Sequence, residues 1–248
     1  TGANGKTVFL ETLLNLLGQD YAINSHAKTI LVRDRLGGIN NDIARLRGLR
    51  LVTVNEIPGR GKLDEAKVKE LTGGDTITAR FLFHEEFNFK PQFKLWVRTN
   101  HKPVITGVDL GMWRRVRLIP FTVTIPPEQQ DPKLQEKLRE ELPGILTWAV
   151  LGCLAWQDEG LTSPNEVKAA TLEYKTESDI FTLFFEDVCE LGAKNTVRSL
   201  DLYTAYKEWA PNNGERILSS IAFAREMAER GYVKFRPGLP TGGLGMAT

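Results

Sequence analysis

The sequence predicts an α/β core that gives way to an all-helical half near residue 127. Three observations predict it. A glycine turn ending in Gly5-Lys6-Thr7 runs directly into apolar residues at helical spacing, 8–17. Two β-branched runs, 50–56 and 94–100, read as strands, and an amphipathic helix at 63–71 lies between them. Beyond the connector at 126–132 the apolar residues keep helical spacing, apart from one short alternating run near the C-terminus.

Taken in order, the helix at 8–17 has Gly18 as its natural stop. The polar stretch 19–41 contains a short strand at Ile30-Leu31-Val32 and a loop at 37–41. Residues 42–47 read as a short helix capped by Asn41 and ended by Gly48. The run 50–56 is a buried strand that ends in an acid, Glu56. Residues 76–83 and 87–90 pair as a hairpin around His84-Glu85-Glu86. The strand at 94–100 ends in Asn100, and the arginine cluster Arg114, Arg115 and Arg117 precedes a further strand. Residues 133–141 form a charged helix, 145–156 a buried one, and 165–176 another after Ser163-Pro164. In the last part, helices at 179–189, 200–209 and 219–230 precede an alternating strand at 232–236, the layout of a winged helix. The first of them shows Ile180, Leu183, Phe184 and Val188 on one face, and 211–214 is a turn. Arg225, Arg230, Lys234 and Arg236 would be the basic residues of that module, although other three-helix bundles share the pattern. The glycine-rich tail 237–248 reads as disordered or cut short.

Composition narrows the function classes. With 42% hydrophobic and 25% charged residues the chain is an ordinary globular protein, large enough for one domain or one plus a small one. A net charge of +1 removes any global basic signature, so nucleic-acid contact needs local patches. Cys153 and Cys189 lie far apart and the three histidines are scattered, a spacing that argues against a zinc site and suits a reducing cytoplasm. No signal peptide and no apolar run long enough to cross a bilayer is present.

The chemistry lies in the first half. Gly2-Ala3-Asn4-Gly5-Lys6-Thr7 reads as the end of a phosphate-binding loop, G-x-x-x-x-G-K-[ST], whose opening glycine and preceding strand would lie ahead of residue 1. No Met opens the chain, so its start reads as a fragment boundary. Backbone N–H groups of such a loop cradle phosphates, Lys6 neutralises the β and γ groups, and the Thr7 hydroxyl ligates Mg²⁺. Glu56, at a strand end, suits a carboxylate that reaches Mg²⁺ or the attacking water, and Asn100 suits a polar group orienting that water. Arg114 and Arg115 suit stabilisation of a transferring phosphoryl group, in cis or from a neighbouring subunit. The hairpin interleaves Arg80, His84 and Lys90 with phenylalanines, as a single-strand binding surface does; an ordinary hairpin with its aromatics in the core is the competing reading.

The order of these motifs resembles the helicase part of phage and plasmid primase–helicases. It runs Gly2-x-Asn4-Gly5-Lys6-Thr7, then Glu56, then Lys69-x-x-Thr72-Gly73-Gly74-Asp75-x-x-x-x-Arg80. Thr99-Asn100-x-x-Pro103 and Trp113-Arg114-Arg115-x-x-x-Ile119-Pro120-Phe121 follow. Pro143-Gly144-Ile145-Leu146-x-Trp148-Ala149 is similar to that family as well. The group is helicase superfamily 3, and the poxvirus primase–helicase is a more distant relative. The resemblance implies an AAA+-like P-loop ATPase with a mainly parallel sheet over 1–126. A helical segment would complete it at 127–177, and a winged-helix-like module would occupy 178–248. It further implies ATP and Mg²⁺ as cofactors, a homo-oligomeric ring, commonly a hexamer, and 3′→5′ translocation on single-stranded or forked DNA. An upstream primase domain and no membrane partner are also implied. Glu56 would be the Walker B acid, Asn100 the γ-phosphate sensor, and Arg114 or Arg115 the finger. Lys69, Arg80, His84 and Lys90 would belong to the DNA-contacting element. A P-loop NTPase of another type, such as a kinase, and a replication-initiator or DNA-binding module with a degenerate ATPase remain open alternatives.

Overall fold

Helix α1 (Lys6–Tyr21) begins where Gly5 takes a left-handed conformation, φ 83°, that a side chain disfavours. Gly18, also left-handed at φ 69°, interrupts α1, but one more turn follows it. The chain then reverses at once into β1 (Ala22–Ser25). α2 (Asn41–Ala44) and β2 (Leu51–Asn55) follow. Next comes α3 (Glu65–Thr72), whose N-cap Asp64 accepts the Lys67 N–H at 3.0 Å. β3 (Ile77–Ala79), β4 (Phe87–Phe89), β5 (Lys94–Arg98) and α4 (Leu110–Trp113) come next. α5 (Leu134–Glu140), α6 (Leu142–Glu159) and α7 (Asn165–Ser178) close the first of two units, Thr1–Ser178 and Asp179–Thr248. This computed structural model describes residues 2–32, 41–57, 61–105, 110–192, 195–213, 215 and 217–232.

The first unit is α/β with a parallel sheet in the order β1-β2-β5, as the sequence predicts. Ala22 pairs with Leu51, and Leu51 with Lys94, so the three strands start level. β2 is central, and Leu51, Val52, Thr53 and Val54 are all buried, which explains the unbroken β-branched run. Thr53 is the polar exception, and its hydroxyl donates to Asn24 Oδ1 at 3.2 Å. Ile30, Leu46, Leu71, Ile105 and Met112 complete the core. β3 and β4 form the separate antiparallel hairpin, Ile77 opposite Phe89 and Ala79 opposite Phe87.

Several expectations need correction. Ile30-Leu31-Val32 is not a strand: a 3₁₀ turn occupies Ala27–Thr29, and Leu31 makes one isolated bridge to Leu63. The ladder beside β2 is made instead by Ala22–Ser25, within the stretch read as polar. Asn41 lies inside α2, not ahead of it. Residues 116–121 form no strand among the described residues. The buried helix expected at 145–156 is longer, Leu142–Glu159, and none of its side chains is buried. No helix of the described residues is long and apolar enough to cross a membrane. The loop at 37–40, Lys234, Arg236 and the tail 237–248 lie outside the described residues.

The second unit packs α8 (Ile180–Val188), α9 (Ser199–Asn212) and α10 (Ser220–Glu229) around aromatic rings. Phe181, Phe184 and Phe185 are the buried face of α8, while Leu183 and Val188 are exposed, so the expected face is rotated. Tyr206 meets Phe181, Phe184 and Phe223 with ring centroids 5.3, 5.6 and 4.9 Å apart. α9 continues through Pro211, where a turn was expected, because its last turn bonds back to Trp209 and Ala210. Arg230, read from sequence as a basic residue for DNA, turns inward. It grips the Asp179 carboxylate through two N–H donors at 2.8 and 2.6 Å and lies over the Phe181 ring at 4.8 Å.

Candidate functional site

Three turns of chain converge on one edge of the parallel sheet. Because α1 packs on β1 and β2 and the chain reverses at Tyr21–Ala22, the helix runs antiparallel to those strands. Its N-terminus therefore points toward their carboxyl ends. Arg50 N–H donates to Tyr21 O at 2.7 Å, which ties the other end of α1 to the start of β2. At the carboxyl edge Asn55 pairs with Arg98, so Glu56 and the Thr99-Asn100 turn leave the sheet side by side. Glu56 N–H donates to Arg98 O at 2.9 Å. Ligands of open parallel sheets bind outside this edge.

The loop is built to stay open. Ala3 (φ 54°) and Gly5 (φ 83°) are left-handed, and a Cβ at Gly2 or Gly5 would meet nothing within 4 Å. Lys6 and Thr7 are the first residues of a helix whose first turn carries no acid, so its positive end is uncompensated from within. Thr7 is exposed and Lys6 half-buried. These features fit a phosphate group, with the exposed Thr7 side chain a residue that would hold a Mg²⁺. Glu56 is exposed and itself at positive φ, 47°, an unusual conformation for a non-glycine residue at a strand end. Asn100 is exposed too, in a turn that Thr99 closes by bonding both the O and the N–H of His101.

A brace for this loop escaped the sequence reading. Asn4 Nδ2 donates to Phe121 O at 3.0 Å, and Ile125 N–H donates to Ala3 O at 2.8 Å. Phe9 in turn lies against Trp96 and Phe121, centroids 5.7 and 6.2 Å apart. Residues 121–125 thus use backbone groups to hold the loop, and backbone groups leave little trace in sequence.

The two arginines differ. Arg115 donates from Nη1 to Gly111 O, and its Nε is buried without a partner. Arg114 is exposed. Away from this edge, Arg80, His84 and Lys90 are exposed on the hairpin, and Lys69 is half-buried in the last turn of α3.

Residues 1–115 match a family described as a family of unknown function (DUF5906), and residues 176–237 match the Poxvirus D5 protein-like family. Putative helicase L207/L206 of Acanthamoeba polyphaga mimivirus is 30% identical over 232 residues, 86% of this chain and 24% of that protein. Putative helicase 022R of Frog virus 3 (isolate Goorha) is 31% identical over 233 residues, again 86% and 24%. This chain is a homologue of viral proteins named as putative helicases. The resemblance to primase–helicases, distant poxvirus relative included, is thereby borne out. The homologue spans about a quarter of the length of the curated relatives it matches. Among solved structures, the apo structure of the NrS-1 C terminal region (305-718) overlaps with a TM-score of 0.48 at 13% identity. That overlap covers 94% of this chain and 49% of that one.

Proposed function

We propose that this chain is the ATP-hydrolysing helicase part of a viral-type replication primase–helicase, of superfamily 3 and AAA+-like architecture. One observation carries the reading. The Gly2–Thr7 turn, Glu56 and Asn100 belong to elements that end at the same carboxyl edge of one parallel sheet. Lys6 and the loop N–H groups would hold the triphosphate of ATP, with Thr7 and Glu56 toward Mg²⁺. The bound metal would supply charge neutralisation at the phosphates. Glu56 would accept the proton of the attacking water, and Asn100 would orient that water. Arg114, exposed where Arg115 is folded onto Gly111, is the better finger toward the ATP of a neighbouring subunit in a homo-oligomeric, commonly hexameric, ring. Coupling of hydrolysis to movement of the Lys69–Arg80–His84–Lys90 element would draw single-stranded DNA through that ring. The second unit, whose three helices suit a winged-helix-like module, would follow the core, and a primase domain would precede it.

The test is ATP turnover in the full-length protein with and without single-stranded DNA. Lys6→Ala and Glu56→Gln are each expected to lower turnover at least a hundredfold while the circular dichroism spectrum is unchanged. Undiminished turnover in both variants refutes the assignment. DNA binding with no stimulated turnover in the unsubstituted protein would favour a DNA-binding module instead.

A further inference from the structure

The hairpin ends in a turn whose sequence is poorly suited to its backbone. His84 N–H donates to Phe81 O at 3.1 Å, which places Leu82 and Phe83 at the two corners. Phe83 takes φ 63°, the left-handed region that turns reserve for glycine or asparagine. Its side chain is 95% exposed. An apolar ring is thus held in water, in a conformation where glycine would be lower in energy. Stability of this fold rewards neither property, and strain of this kind concentrates at functional positions.

The hairpin that carries the ring is braced by its own aromatics. Phe81 packs on Phe87 across the hairpin with centroids 5.7 Å apart and planes 30° apart, and its edge meets His84. The Arg47 guanidinium covers Phe87 at 5.0 Å. Thr78 and Asn88, joined at 2.8 Å, tie the strands on the exposed face. The tip is therefore a braced turn presenting one free aromatic face. Exposed Arg80 directly follows β3 and exposed Lys90 directly follows β4, while exposed Glu85 and Glu86 sit beside the tip. Two carboxylates so close to the tip disfavour a phosphate track there. They leave stacking, which is indifferent to charge and to base identity, as the chemistry the tip offers.

We infer that Phe83 is a stacking platform for an unpaired base of single-stranded nucleic acid, and that the hairpin tip binds bases while Arg80 and Lys90, at the strand ends, serve the backbone. The inference rests on the reading of the hairpin as the DNA-contacting element but not on ATP hydrolysis. Its test therefore uses binding without nucleotide. Anisotropy of a fluorescent oligothymidine is titrated with the full-length protein and with Phe83→Gly, Phe83→Trp and Arg80→Ala. Phe83→Gly is expected to weaken binding on the order of tenfold while raising or preserving the melting temperature, because glycine relieves the left-handed strain. Phe83→Trp should bind at least as well as the parent. The slope of log affinity against log salt should stay constant in both, whereas Arg80→Ala should reduce it by about one. Parent-like affinity in Phe83→Gly overturns the proposal, as does a parent that does not bind the oligonucleotide. A change of oligomeric state with unchanged affinity would reassign the tip to a second copy of the chain and overturn it equally. Lost ATP turnover in Lys6→Ala, or its retention, leaves these binding outcomes unaffected, so the two readings fail separately.

Discussion

Helix α8 buries Phe181, Phe184 and Phe185 among Tyr206, Trp209 and Phe223, whereas α6 carries no charge between Leu142 and Gln157 and buries nothing. α8 has two faces. Its polar side includes Asp187, which accepts the Trp209 Nε1–H at 2.8 Å, and its N-cap Asp179 receives the Phe181 and Thr182 N–H groups. In α6 the apolar residues go all the way round: Leu146, Trp148, Val150, Leu151, Leu154 and Trp156 are each at least half exposed or close to it. α1 and α5 touch α6 from within the first unit, and that is too little to cover such a surface. Apolar content establishes that a helix gains from burial; the number of faces needing cover decides whether its own unit can provide it.

The largest effect should come from cutting into α8. Phe184 is fully buried. Phe184→Ala removes its contacts with Phe185, Tyr206 and Trp209 and is expected to cost about 3–5 kcal/mol. Urea unfolding followed by tryptophan fluorescence would measure it. A cost below about 1 kcal/mol would mean that the aromatic cluster is loose, and α8 would lose its contrast with α6.

Next in size is the ion pair that closes the same unit. Arg230→Ala leaves the Asp179 carboxylate partly buried without its two donors and is expected to cost about 3 kcal/mol. Burial alone would push the Asp179 carboxyl up. The hydrogen bonds from Arg230 and Thr182, with the Arg230 charge, outweigh that and hold it below its ordinary value. A carboxyl depressed on folding contributes stability that is complete above its unfolded pKa, about 3.9. That stability is lost as pH falls through the lower folded value. Thermal melts at a series of acidic pH values should therefore show the parent losing stability below about pH 4. Asp179→Asn should be less stable at neutral pH and flatter in that window. Parallel curves would show that the pair is not what ties α8 to α10.

Sequence reading recovered elements whose own residues carry the signal. β2 was visible because a strand buried on both faces favours an unbroken β-branched and apolar run, and the β3–β4 hairpin because its buried residues alternate. Elements that depend on a neighbour were not visible. Ala22–Ser25 becomes β1 only by pairing with Leu51–Val54, and residues 121–125 matter through one carbonyl and one amide that hold the loop. In the candidate site, the order of Lys6, Glu56 and Asn100 along the chain could be read, but the difference between Arg114 and Arg115 could not. It depends on one side chain folding back onto Gly111. The environment of α6 failed for the same reason: the sequence carries the wish for burial but not the partner.

That last contrast gives the smallest expected effect and the sharpest test. Trp148 and Leu151 are 66% and 60% exposed, so replacing either by Glu removes little packing from the first unit. Glu is also a good helix former, so α6 itself should persist. Trp148→Glu and Leu151→Glu are each expected to shift unfolding free energy by no more than about 0.5 kcal/mol, an order of magnitude below Phe184→Ala. A continuous apolar face binds hydrophobic dyes, and a charge in its middle breaks that continuity. Anilinonaphthalene sulfonate fluorescence of the folded chain should accordingly fall in both variants. If either substitution instead costs as much as Phe184→Ala, α6 is covered in solution, and the difference between the two helices lies in what covers them, not in whether they are covered.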